Sequence, residues 1–248
     1  MGESKKVFIG VGHGGSDPGA IGNDLRESDV NLVMAVMMKS ELERHGVTVG
    51  ISRTKDENDP LPEEIAEANA FMPDIAVECH NNAGGGKGFE VYRQTNAYAI
   101  KSAILANIIE NHVLAIGQNS RGVKTKLNTS GTDYFGWLRQ VNCPAVLCEG
   151  AFLDNTADAD MINTTAKQQA FGVAYAKGVL EYLEISWKPV HDEQQAANII
   201  YGVMKQVIAL SDEEAAKKYA AEMQKEDPAA YWFITKKSFN IPADFDLN

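Results

Sequence analysis

Apolar positions along the chain follow two alternating rhythms. Short unbroken runs rich in β-branched residues give way to longer segments in which apolar residues recur at three- and four-residue steps. Val7–Val11 is the first such run, and Val7, Phe8, Ile9 and Val11 suit a strand buried on both faces of a parallel sheet. Glu27–His45 then carries Val30, Val33, Met34, Met37, Met38 and Leu42 along one helical stripe, with Gly46 placed to end it. Val47–Ser52 is a second strand, and Glu63–Phe71 a short helix stopped by Pro73. Asp74–Glu78 is a third strand running into His80, and Phe89–Arg93 a fourth, reached through the polar, glycine-rich loop Asn81–Gly88. Ala97–Ile116 is a second long helix, predicted to bury Ile100, Ile104, Leu105 and Ile108 on one side. The pattern over Val123–Trp137 fits neither period. Ala145–Cys148 is an apolar strand entering Glu149, and Thr164–Leu183 a third long helix.

Strands alternating with long helices predict an α/β fold: a mainly parallel, twisted sheet flanked by helices on both faces. The character changes at Ser186. Asp192–Ala209 is amphipathic, Ser211 with Glu214 reads as a capping box opening a further helix, and Tyr231, Trp232 and Phe233 follow Asp227-Pro228. The expected organisation is a catalytic domain over residues 1–185 and a helical appendage over 186–248.

Composition narrows the function classes. With 44% apolar and 23% charged residues in 248, the chain is ordinary for a globular protein that buries a full core. A net charge of −11 argues against a general binder of nucleic acid or anionic membrane, since polyanions would be repelled. Cys79, Cys143 and Cys148 show no CxxC spacing, so neither a disulfide framework nor a thiolate zinc site is indicated. The start, MGESKKVFIG, has an apolar run too short for a signal peptide, and no stretch is long enough to span a membrane. The expectation is a chain made in the cytoplasm.

Candidate chemistry gathers at strand ends, where open α/β sheets place their ligands. After Val11 the chain enters GHGGSDPGA, whose glycines bring the backbone close to whatever His13 holds. Catalytic zinc takes three protein ligands, imidazoles and carboxylates, and keeps a position for water. His13, Glu27 and His80 can supply that set, with Glu27 at a helix N-terminus that suits a carboxylate. Glu149 follows an apolar strand at the same edge and suits a general base acting on water. The loop lacks GxGxxG and Gly-Lys-Ser/Thr spacing, which disfavours a nucleotide site. His45, His112 and His191 sit in helical or linker contexts and are expected to be structural.

In sequence order, GHGGSDPGA at Gly12–Ala20, Glu27 before a helix, Arg53 with Asp56, Ala68-Asn69, HNNA at His80–Ala83, GFEVY at Gly88–Tyr92, RGVK at Arg121–Lys124 and PAVLCEGAFLDN at Pro144–Asn155 resemble the zinc-dependent N-acetylmuramoyl-L-alanine amidases of cell-wall hydrolases and phage endolysins. The resemblance spans roughly Val7–Leu183. It implies Zn2+ held by His13, Glu27 and His80, with Glu149 as the catalytic carboxylate. The implied substrate is peptidoglycan, cleaved between the lactyl group of N-acetylmuramic acid and L-alanine. Asn82 is then a candidate to orient substrate, and Arg121 and Lys124 to meet stem-peptide carboxylates, solvated surface charge being the alternative for both cations. Without a signal peptide, action on the wall would follow release by a phage, a prophage or a lysing cell.

The chain departs from the family pattern at three places. Many relatives carry an arginine shortly before the Ala-Asn pair, where this chain has Glu64. Ala151-Phe152 stands where Gly-Phe is usual, and Glu78 where serine is common two residues before the second histidine. A carboxylate so close to His80 could orient that imidazole by a hydrogen bond, but strand alternation favours Glu78 on the same face and out of contact with it. Two other classes compete: a zinc peptidase acting on the stem peptide, and a catalytically silent wall-binding protein. The segment beyond Ser186 lies outside the resemblance, and wall binding, self-association and simple packing are all open for it.

Overall fold

The computed structural model describes residues 4–188. The predicted helices at Asp192–Ala209 and beyond Ser211, the Tyr231–Phe233 triplet and His191 lie outside the described residues. The chain divides into a compact unit, Met1–Trp187, and a second, Lys188–Asn248.

The elements in order are β1 (Lys6–Val11), β2 (Ile21–Gly22), β3 (Leu25–Arg26), α1 (Glu27–Arg44), β4 (Thr48–Ile51), α2 (Leu61–Phe71), β5 (Ile75–Asn82), β6 (Phe89–Arg93), α3 (Ala99–Ala115), β7 (Ser120–Lys124), α4 (Gly136–Gln140), β8 (Ala145–Phe152), α5 (Thr156–Ala159) and α6 (Thr165–Tyr182). Six strands form one sheet in the order β4-β1-β5-β8-β6-β7. The first four run parallel, as the continuous apolar runs predict. β6 pairs antiparallel with β8 and parallel with β7, so these two strands run against the rest.

Both faces are covered. Phe8, Ala76 and Leu147 meet Ile65 and Ala68 of α2 and Trp137 and Leu138 of α4 in one apolar layer. On the opposite side α1, α3 and α6 pack together and bury Met34, Met38, Leu105, Ile109, Phe171 and Tyr175. Burying each such side chain contributes about 1.5–3 kcal/mol against the entropy of ordering it. Thr164 caps α6 by accepting from the Lys167 amide.

Two predictions are corrected. His80 and Glu149 lie inside β5 and β8 rather than past their ends. Those strands stand mid-sheet, and pairing on both sides carries them through residues that polarity alone reads as loop. In α3 the buried stripe is Ser102, Leu105, Ala106, Ile109 and Val113, while Ile100 is 79% exposed and Ile104 50%. A helix this apolar on every side gives periodicity little contrast to report which stripe faces inward.

Candidate metal centre and active site

The site is built where β1, the start of α1 and the middle of β5 meet. Arg53, 2% exposed, joins the first two: it donates to the carbonyl oxygens of Val11 (3.1 Å), Gly12 (3.3 Å) and Ser28 (2.8 Å). Asn31 of α1 donates to the Gly12 carbonyl at 3.0 Å and accepts from Asn81 at 2.8 Å. His13 emerges from this brace at φ 64°, in the left-handed region that non-glycine residues rarely adopt. Such a conformation costs about 1–3 kcal/mol and persists where the surroundings enforce it.

His13, Glu27 and His80 converge, each offering one ligand atom, with all three atoms within 4.8 Å of one another. Nε2 of His13 lies 3.2 Å from Oε2 of Glu27, and Nδ1 of His80 lies 2.9 Å from Oε1. The rings stand edge to face at 4.9 Å. Glu27 is oriented by the amides of Ala20 (2.8 Å) and Asn81 (3.0 Å). Two glycines leave the space: a Cβ on Gly12 would stand 2.2 Å from the His80 ring, and one on Gly19 would stand 2.6 Å from Glu27 and 2.7 Å from His13.

The electrostatics favour a cation here. Burial would raise the Glu27 pKa, but hydrogen bonds from both histidines hold it well below the ordinary carboxylate range. Burial would lower the His13 pKa, and the hydrogen bond and charge of Glu27 raise it instead. Burial opposes ionisation of His80 too, yet the charge of Glu78 and the bond to Glu27 lift it well above 6.5. Two imidazoles and a carboxylate, arranged to gather positive charge, are the donor set zinc takes at catalytic centres.

Glu149 stands directly opposite His80 in the β5–β8 register. It is 9% exposed, and burial pushes its pKa up to about 7. Its Oε2 is buried without a protein partner, and the residue lines a cleft of about 650 Å³ with His13, Glu27, His80, Asn82, Phe135 and Trp137, among others.

The other predicted residues divide. Asn82 lines the cleft. Arg121 and Lys124 do not; both are held by Glu90, Lys124 at 2.5 Å and Arg121 closer still. Glu90 is 3% exposed and also accepts from Tyr92 (3.0 Å) and Asn82 (3.3 Å). Its register opposite Glu149 places it on the same side of the sheet. GFEVY displayed this glutamate, but the long-range clasp on RGVK is not visible in either motif alone. Glu78 corrects the expectation of no contact, since its Oε1 lies 3.2 Å from Nε2 of His80. Glu64 lines the cleft beside it and accepts from the Val11 amide at 2.9 Å; burial and the charge of Glu78 raise its pKa to about 8. His112 pairs with Glu181 at 2.8 Å, and His45 contacts the Glu41 carbonyl at 2.7 Å, both away from the site.

The chain is similar to known proteins over residues 7–181. The family model described as N-acetylmuramoyl-L-alanine amidase matches residues 7–181. The sporulation-specific N-acetylmuramoyl-L-alanine amidase of Bacillus subtilis is 35% identical over 176 residues, 70% of this chain and 66% of that protein. The endolysin of Bacillus phage SPP1 is 33% identical over 192 residues, covering 75% of this chain and 68% of the relative. The solved catalytic domain of CwlV, an N-acetylmuramoyl-L-alanine amidase from Bacillus (Paenibacillus) polymyxa var. colistinus, superposes with a TM-score of 0.66 at 28% identity, over 73% of this chain and 99% of that domain. The chain thus spans about two thirds of the sporulation amidase and nearly all of an amidase catalytic domain. It belongs to the N-acetylmuramoyl-L-alanine amidase family.

Proposed function

We propose that residues 1–185 hydrolyse the amide joining the lactyl group of N-acetylmuramic acid to L-alanine in peptidoglycan, with zinc as the metal. The observation that carries this reading is the convergence of His13, Glu27 and His80 with Glu149 in register beside them. Zinc held by those three residues would polarise the amide carbonyl and acidify a water molecule. Glu149 takes the proton of the attacking water and delivers it to the L-alanine nitrogen as the C–N bond breaks, with no covalent enzyme intermediate. A pKa of about 7 suits a group that must accept and then donate a proton near neutral pH.

Asn82 lines the cleft, its side chain held by Glu90 and the Ala83 amide, and is the residue we assign to orient the substrate. Arg121 and Lys124 share one glutamate, so the pair retains net positive charge for a stem-peptide carboxylate approaching the rim. The site of action is the cell wall; among the described residues no helix is long and apolar enough to cross a membrane. For residues 186–248, wall binding, self-association and simple packing are the roles to test.

Product analysis of purified peptidoglycan tests the reading. New L-alanine amino termini without new reducing ends, abolished by a chelator and restored by zinc, are expected. Amino termini of other residues would make the protein a stem-peptide peptidase. Retention on the wall without release would make it a binding protein.

A further inference from the structure

The contact between Glu78 and His80 has a chemical consequence beyond the ligand set. The two residues stand two apart on β5 and share a face of the sheet. Nδ1 of His80 faces Glu27 at 2.9 Å, so Nδ1 is the nitrogen turned toward the other ligands. A neutral imidazole that ligates through Nδ1 carries its proton on Nε2, and the acceptor there is Oε1 of Glu78 at 3.2 Å. The ring also packs against Gly12, where a Cβ would stand 2.2 Å from it.

Glu78 is a costly residue for this position. It is 3% exposed, its Oε2 has no protein partner, and it lies beside the equally buried Glu64, both packed over Gly10. A buried carboxylate with an unpaired oxygen next to a second acid weakens a fold, and an apolar residue of similar size would pack there at lower cost. Among the described residues, its one hydrogen-bond partner is His80. The contrast with His13 is informative. That ring is also backed by a carboxylate, Asp17 at 2.8 Å, but the Asp17 side chain is 66% exposed and screened by solvent. The buried support belongs to His80 alone.

We propose that Glu78 is a positioning residue for the metal centre: by accepting from Nε2 of His80 it fixes the tautomer and orientation that present Nδ1 to zinc. The proposal rests on His13, Glu27 and His80 holding that metal.

The test measures zinc affinity by competition with a chelator, and the visible spectrum of the Co(II)-loaded protein, for the wild type, His80→Ala, Glu78→Ala and Glu78→Gln. The wild type binds one zinc and His80→Ala does not, which checks the ligand assignment independently. Glu78→Ala is expected to bind zinc about 10–100-fold more weakly and to shift the Co(II) bands, the usual scale for losing an outer hydrogen-bond partner. Glu78→Gln, whose amide oxygen still accepts from Nε2, recovers most of the affinity and the wild-type bands. Thermal melts of the metal-free proteins separate folding from binding. Unchanged zinc affinity in Glu78→Ala overturns the proposal, and so does an equal loss in Glu78→Gln. A wild type that binds no zinc removes the ligand assignment itself.

Discussion

His80 and Glu149 are direct cross-strand partners on adjacent parallel strands, so a proposed metal ligand and the proposed base share one level of the sheet. Parallel strands lie about 4.8 Å apart, and side chains at paired positions project to the same face. The spacing between ligand and base is therefore set by backbone hydrogen bonds, not by flexible loops.

Glu149→Gln separates the two roles. The substitution keeps the shape of the strand and all three ligands, so zinc content is expected to stay at wild-type level. Activity falls by about 10²–10⁴-fold, the usual contribution of a positioned proton carrier. His80→Ala loses zinc and activity together. Metal analysis beside turnover checks both, and full activity in Glu149→Gln removes the base assignment.

The pH profile carries the same residue. Glu149 acts as a base only when ionised, so kcat/KM rises with pH through its pKa. Burial places that pKa at about 7 in the metal-free protein. A neighbouring cation favours the carboxylate, so the acid limb of the zinc-loaded enzyme is expected below that value. The residual activity of Glu149→Gln should lack this limb.

Glu64 makes a prediction for stability instead of rate. Its pKa is about 8 in the fold against an ordinary 4.5. Between those values the unfolded chain releases the proton first, so this residue makes metal-free stability decline as pH rises from 4.5 toward 8. Glu64→Gln, which can still accept from the Val11 amide, flattens that decline. Denaturant titrations at pH 5 and 8 are expected to show a difference on the order of a few kcal/mol between the two proteins.

Glu90 is predicted to matter more to stability than either cation it holds. Glu90→Gln strips the charge that Arg121 and Lys124 share, whereas Arg121→Met or Lys124→Met leaves Glu90 another cation. Breaking a buried pair at its buried end costs about 3–5 kcal/mol, and half-exposed partners reduce that here. Melting temperatures should fall furthest for Glu90→Gln. A larger fall in either single cation variant contradicts this.

Gly12→Ala tests the packing of the site. The added methyl would stand 2.2 Å from the His80 ring, which must then turn away from Glu27. Zinc affinity is expected to collapse while the far-UV signal of the fold remains.

Much of this was legible in the sequence. Continuous apolar runs marked the parallel strands, and helical spacing marked α1, whose stripe of Val30, Val33, Met34, Met37, Met38 and Leu42 is buried throughout. That His13, Glu27 and His80 come together could be anticipated because apolar runs lead into His13 and His80 and a glycine-dense turn surrounds the first. What stayed hidden depends on pairing across the sheet. β5 runs on to Asn82 because β8 lies beside it, and no local signal states that. Lys124 reads as a free surface charge until the fold brings Glu90 beneath it. Glu78 reads as an indifferent neighbour of His80, since alternation sets the face of a side chain and not its reach.

The sheet order has one consequence for synthesis. β8 is the central strand that joins β5 to β6, and it is the last strand of the sheet in the sequence. A chain still on the ribosome and ending before Ala145 already holds His13, Glu27 and His80, yet it lacks both Glu149 and the strand that unites the two halves of the sheet. Chemistry is thereby deferred until translation is well past the middle of the chain. A product truncated there carries the three proposed ligands without the proposed base.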